Sequence, residues 1–268
     1  MYKRQIQKDV LWGQLKDQLQ LKVNSIDGKQ RAVKLSPISY STARRLANND
    51  RIEDNKSMVE KLSKGKLGYL HIAKMAWEDF TKFEQHLYEN GAGKDGLIID
   101  VRDNSGGFTT DHLLTALTQP KHAYTIPRNG GIGYPQDRSV YATWKKPIVV
   151  LCNQNSFSNA EIFAHAIKTL KRGKIVGVPT AGGVISTGSR SILGEGSLRM
   201  PFRGWFLSRS GEDMELHGAS PSPRNIIWTK PGEIEQGIDK QIKRAVQVLK
   251  REVRTKSEKT VVPTYRSR

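Results

Sequence analysis

The chain has 268 residues, enough to bury a sizeable core in one or two domains, and its 37% hydrophobic content and mean hydropathy of −0.56 fit a globular protein with charged ends. A net charge of +18 would attract nucleic acid or an anionic surface, yet no zinc-ligand spacing, RNA-binding aromatic signature or basic region ahead of heptads accompanies it, so no specific nucleic-acid partner is expected. No apolar run approaches the roughly 20 residues of a membrane span, no signal-peptide core follows the first basic residues, and the single Cys152 excludes an internal disulfide.

Residues Tyr2 to Gln18 are predicted to form an amphipathic helix, with Ile6, Val10, Leu11, Leu15 and Leu19 near helical spacing. Two short strands, Leu19 to Asn24 and Ala32 to Leu35, follow around the turn Ile26-Asp27-Gly28-Lys29. A polar helical connector then runs from Ser41 to about Lys64. At Gly68 the pattern changes to strands alternating with helices: strand Leu67 to Ile72, helix Trp77 to Leu87, buried strand Leu97 to Val101, helix Thr110 to Leu117. The long loop Thr118 to Gln136, with Pro and Gly, has the character of a segment bordering a binding site. Strand Pro147 to Cys152, helix Asn159 to Leu170 and strand Lys174 to Val178 come next. Glycines separate many short strands between Gly182 and Leu207, and a last helix is predicted over Glu233 to Leu249. The alternation indicates an α/β core from about Lys66 to Val253, followed by a basic tail predicted to be disordered.

Three polar or glycine-bearing turns stand directly after apolar strands, where α/β folds collect their active sites. Asp100-Val101-Arg102-Asp103-Asn104-Ser105-Gly106-Gly107 is the first; its paired glycines let backbone amides approach a ligand, or simply make a tight turn. In the second, Asn155-Ser156-Phe157-Ser158-Asn159-Ala160-Glu161, Ser158 stands at a strand-to-helix corner. Two readings are open for it: a helix N-cap, or a nucleophile whose oxygen and neighbouring amide reach one carbonyl. The third is Val178-Pro179-Thr180-Ala181-Gly182-Gly183, and Glu215 follows further on as a general base, an orienting carboxylate or plain surface.

Taken in order, these segments, with Gly68-Tyr69-Leu70-His71-Ile72 and Gly237-Ile238-Asp239-Lys240-Gln241, resemble the tricorn-type branch of the tail-specific (C-terminal processing) serine peptidases, from Asp9 to about Leu249. The resemblance implies an α/β fold with a ClpP/crotonase-like core over residues 66–253. It also implies the closing part of a PDZ-like domain over 1–37 and a helical connector over 38–65, with 254–268 left as the basic tail. It implies Ser158 as nucleophile, Asn159 and Gly106 as the amides of the oxyanion hole with Gly107 the neighbouring alternative, and Glu215 as the carboxylate behind a catalytic histidine. The partner it implies is a peptide or unfolded-protein substrate, in a homo-oligomer, with no cofactor or metal; the compartment is not legible.

Many tail-specific peptidases use a lysine base roughly 25 residues after the serine. Here that region is Gly182-Gly183, which points to the histidine-based branch. The histidine of that branch lies upstream of the PDZ-like domain, so the chain is expected to be an N-terminally shortened form with weak or no activity by itself. Of its six histidines, His217 is kept as a substitute because of its closeness to Glu215. The alternative is an inactive homologue that binds peptides or serves as an assembly subunit.

Overall fold

The computed structural model describes residues 18–120, 123, 125–130, 133 and 142–257, and the chain divides between Asp54 and Asn55 into two compact units. The helix expected over Tyr2 to Gln18 lies almost wholly outside the described residues, as does much of the loop from Thr118 to Gln136, including Lys121 and His122.

In the first unit, β1 (Leu19–Asn24) and β2 (Gln30–Leu35) pair antiparallel from Leu19↔Leu35 to Asn24↔Gln30. Leu19, Leu21 and Val23 are half-buried while Gln20, Lys22 and Asn24 are exposed, the period-two pattern of a strand with one covered face. Helix α1 (Tyr40–Ser63) gives its first half to this unit and its second half, with buried Asn55, Val59 and Ser63, to the next.

The second unit is built on four parallel strands in the spatial order β3 (Leu67–His71), β4 (Gly96–Asp100), β5 (Ile148–Cys152), β6 (Lys174–Gly177). Every residue of β4 and β5 is buried, which is what a continuous apolar run produces when a parallel sheet is covered on both faces. The helices are α2 (Trp77–Glu89), α3 (Thr110–Thr118), α4 (Asn159–Thr169) and α5 (Lys240–Ser257). Phe80, Phe83 and Leu87 of α2, Leu113 and Leu117 of α3, and Phe163 and Ile167 of α4 share one core with Leu97, Ile99 and Val150 of the sheet. Helix α5 packs against β4, β5 and β6 with buried Ile242, Ala245, Val246 and Leu249 at helical spacing. Because all four strands run the same way, the turns after β3, β4, β5 and β6 gather at one edge.

Beneath that edge lies a buried polar network. The Asp100 carboxylate accepts Arg102 Nη2 at 2.6 Å and the Tyr69 hydroxyl at 2.7 Å, and Arg102 Nη1 donates to Asp239 Oδ2 at 2.7 Å and Gln241 Oε1 at 3.1 Å. Asn55 Nδ2 donates to the same hydroxyl at 3.1 Å. Burial pushes the Asp100 carboxyl up, and the Arg102 charge and hydrogen bonds outweigh it, leaving the group below its ordinary value. Burial, with the Asp100 charge adding to it, drives the Tyr69 hydroxyl well above its own.

Two expectations are corrected. The many short strands between Gly182 and Leu207 are one ribbon, β7 (Ser186–Ile192) paired antiparallel with β8 (Gly196–Arg203), because Gly188 sits inside a strand and Gly194 makes its turn at φ 79°. The last helix begins at Lys240 and not Glu233: Gly237 takes φ 71°, and Asp239 Oδ1 accepts the Ile242 amide at 2.9 Å as a cap. It continues to Ser257, four residues into the stretch 254–268 expected to be a disordered tail, whose remainder lies outside the described residues.

Candidate active site

Strand β5 ends at Cys152 and the chain turns into α4, with Ser158 in the N-cap position at φ 55° and ψ −118°. An ordinary N-cap has extended backbone. A residue with a Cβ held at this angle costs on the order of 1–3 kcal/mol, so something must hold it there. The holder is Glu161, fully buried one turn into α4. Its Oε1 accepts the amides of Ser158 at 2.8 Å and Gly183 at 2.9 Å, and its Oε2 accepts the Gly182 amide at 2.5 Å and Thr180 Oγ1 at 2.6 Å. Sequence reasoning passed over this carboxylate, although the Ser-x-x-Glu spacing of a capping box marked it.

The turn after β4 is locked onto the corner from the other side. Asp103, at φ 59°, accepts the side-chain amides of Asn153 and Asn155 on Oδ1, both at 2.9 Å. Asn104 is fully buried: its Nδ2 donates to the Ile72 carbonyl at 2.8 Å, its Oδ1 accepts the Gly106 amide at 2.9 Å, and its carbonyl accepts the Phe157 amide at 2.9 Å. One side chain therefore ties together the end of β3 and the glycine turn, and its backbone holds the residue before Ser158. Ser105 is not among the positive-φ residues, so its side chain is accommodated without left-handed strain.

Gly106 takes φ 86°, and a Cβ there would lie 2.8 Å from both the Phe157 carbonyl and Ser158 Cβ. At Gly107, φ 145°, it would lie 2.0 Å from the Met75 carbonyl oxygen. The glycines thus let two backbones touch the serine corner on one side and the segment after β3 on the other. The two amides differ. That of Gly106 is spent on Asn104 Oδ1, whereas the amides of Gly107 and Asn159 have no hydrogen-bond acceptor among the described residues. The Asn159 side chain is itself engaged, its Oδ1 accepting the Thr110 amide at 2.9 Å.

Glu215, half-buried, accepts the amides of Val184 at 2.7 Å and Ile185 at 2.9 Å on Oε2. Four consecutive amides, 182 to 185, thereby divide between Glu161 and Glu215, so one segment joins the loop of Glu215 to the corner of Ser158. A Cβ at Gly183 would lie 2.2 Å from the Phe157 ring, so this position has no room for the start of a lysine side chain.

Among the described residues no hydrogen bond joins a histidine to Ser158 or to the Glu215 carboxylate. His217 is exposed, with its amide on the Met214 carbonyl at 3.2 Å. His165 faces Thr169 Oγ1 at 3.0 Å, its pKa lowered by burial and the nearby Lys168. His71 ends β3 in register with Asp100, and the His112 ring lies tilted against Trp77 with ring centroids 4.5 Å apart. Cys152 is buried behind the corner, its thiol pushed up to about 12 by that burial, which makes it a packing residue.

A serine held at a left-handed angle at a strand-to-helix corner, opposed by a glycine turn whose Gly107 amide has no acceptor among the described residues, is the arrangement that a hydrolase working through a serine would need. The profile of peptidase family S41 matches residues 66–222, more than half of the chain, and the chain belongs to that family. It is 32% identical over 209 residues to the tricorn protease of Thermoplasma acidophilum, covering 77% of this chain and 19% of that protein. It is 30% identical over 235 residues to a tricorn protease homolog of Saccharolobus solfataricus, covering 87% and 21%. A crystal structure of the tricorn protease superposes with a TM-score of 0.71 at 26% identity, over 92% of this chain and 23% of that one. Mature CPAF, at 16% identity and a TM-score of 0.57 over 90% of this chain and 69% of that one, shares the fold. The chain spans about a fifth of the length of the curated relatives it matches. No helix among the described residues is long and apolar enough to cross a membrane.

Proposed function

We propose that the chain is the serine-bearing module of a tricorn-type peptidase that cleaves peptide bonds through an acyl-enzyme on Ser158. Ser158 Oγ attacks the carbonyl carbon, the C–N bond breaks as the amine leaves with a proton, and water then hydrolyses the ester. The observation that carries this reading is the Ser158 backbone at φ 55° and ψ −118°. A helix cap needs no such angle, whereas a serine that must present its oxygen beside open amides does. The oxyanion pair we infer is Asn159 with Gly107, in place of Gly106, whose amide Asn104 occupies. Glu215, anchored by two amides through Oε2, leaves Oε1 to orient an imidazole. Residues 1–37 are read as the end of a PDZ-like domain, 38–65 as its connector and 66–253 as the protease core.

The test is labelling with a fluorophosphonate, followed by peptide mapping. A slow adduct confined to Ser158 and abolished by Ser158→Ala is expected, with little turnover of peptides by these 268 residues alone, because both reactions need a base. Robust hydrolysis would mean that a base, with His217 first in line, is already present. The absence of a histidine bonded to Glu215 among the described residues favours a second reading, a homologue that binds peptides without cleaving them. That reading requires no adduct on the folded chain and peptide binding indifferent to Ser158→Ala.

A further inference from the structure

We infer that Trp77, Phe108 and His112 form a subsite for an aromatic or large aliphatic side chain of the bound peptide, a few residues from the bond presented to Ser158. The inference rests on the peptidase reading for its substrate class. Trp77 is 53% and Phe108 60% exposed. Isolated exposed apolar residues are common and mean little, but these two touch, with ring centroids 5.9 Å apart and an edge-on angle of 69°. The His112 ring lies 4.5 Å from Trp77, and buried Phe80 forms the floor, 6.0 Å from Trp77 and 5.6 Å from His112. Residues from α2, α3 and the glycine turn therefore converge on one packed yet solvent-facing aromatic surface.

The backbone couples this surface to the candidate catalytic corner. Met75, two residues before Trp77, donates its amide to the Gly106 carbonyl at 2.9 Å, and the Phe108 amide donates to the Met75 carbonyl at 2.7 Å. Gly106 in turn lies against Ser158, since a Cβ on it would be 2.8 Å from Ser158 Cβ. The Phe108 Cα, two residues on, is at most about 7.6 Å from that of Gly106. An extended peptide rises about 3.3 Å per residue, so a chain whose carbonyl meets Ser158 comes within reach of Trp77 and Phe108 about two or three residues away. The rings offer apolar area and edge-to-face partners.

Fluorescent peptides differing at one position (Phe, Leu, Ala, Lys or Glu, scanned across the three residues on either side of the central bond) test this by anisotropy on the Ser158→Ala chain. At one position the Phe and Leu peptides are expected to bind about tenfold tighter than the Ala peptide. Trp77→Ala and Phe108→Ala should each bring that ratio close to one, Phe108→Leu should retain part of it, and Trp228→Ala, another exposed tryptophan, should leave it unchanged. Thermal melting of each variant checks that it is folded. Equal binding of Phe and Ala peptides, a Lys or Glu preference, no binding at all, or a preference surviving both alanine variants would overturn the subsite. Labelling of wild-type Ser158 is read separately: an adduct without the preference removes only the subsite, and the preference without an adduct removes only the catalytic reading.

Discussion

The serine corner and the β7–β8 ribbon are separated in sequence by α4 and β6 and are opposites in construction. At the corner, Glu161 and Asn104 are fully buried and their polar atoms are matched to named donors and acceptors, while Gly106, Gly107 and Gly183 leave no room for a Cβ. In the ribbon every residue except Ser186 is exposed, although Leu198, Met200 and Phe202 stand at alternate positions and share a face with Ile192. The contrast teaches that apolar alternation alone does not show where the folding free energy is. In this chain the polar edge of the sheet is over-determined, and an apolar ribbon is left facing solvent. A strained Ser158 can persist only in the first kind of surroundings.

The sharpest way to break that contrast is to remove the cation beneath the edge. Arg102→Met leaves Asp100 and Asp239 buried without their partner, and unpairing a buried charge costs about 3–5 kcal/mol. Urea unfolding should show that loss; a loss below about 1 kcal/mol would mean that the network does not hold the edge. The sign of the pH response follows from Asp100, whose folded-state carboxyl lies below its ordinary value. Its contribution is fully present above the ordinary carboxylate pKa and is lost as the pH falls through the folded value. The melting temperature should therefore drop on acidification below about pH 4, and less so in Asp100→Asn.

Glycines on the two sides give the next test. Ala at Gly107 meets a backbone oxygen at 2.0 Å and a left-handed φ, so Gly107→Ala should cost about 2–4 kcal/mol and weaken labelling of Ser158. Ala at Gly188 meets only Phe202 ring atoms at 3.8 and 4.0 Å, ordinary contact, and should be neutral or stabilise by up to about 1 kcal/mol. Equal effects in the two variants would show that the close approach at the corner relaxes freely.

The same contrast explains what could be read from the sequence. The four core strands announce themselves by continuous apolar runs, and the Asn104–Gly107 and Ser158 turns by polar residues placed directly after them, because burial on both faces leaves no other pattern. The roles of the carboxylates were hidden. Glu215 binds the amides of Val184 and Ile185, and Glu161 those of Gly182 and Gly183; a backbone N–H has no side-chain signature to spot from a distance. The competition between the Gly106 and Gly107 amides was hidden for a related reason, since it turns on the direction of one Asn104 side chain. In the ribbon a glycine has the look of a break, although Gly188 is a strand residue beside the Phe202 ring.

The smallest expected effect is the most telling about the ribbon. Phe202 is 64% exposed, its ring resting on Gly188 and carrying the Arg203 guanidinium 5.5 Å from its centroid. With so little area removed from water, Phe202→Ser should change the unfolding free energy by no more than about 0.5 kcal/mol. It should leave Ser158 labelling unchanged, because Glu161 and Asn104, and nothing in the ribbon, hold the corner. If instead it costs more than about 1 kcal/mol in urea, the apolar face of β8 is covered in solution, and the ribbon belongs with the corner as part of the packed structure. The alternation of Leu198, Met200 and Phe202 would then have its ordinary cause, a buried face.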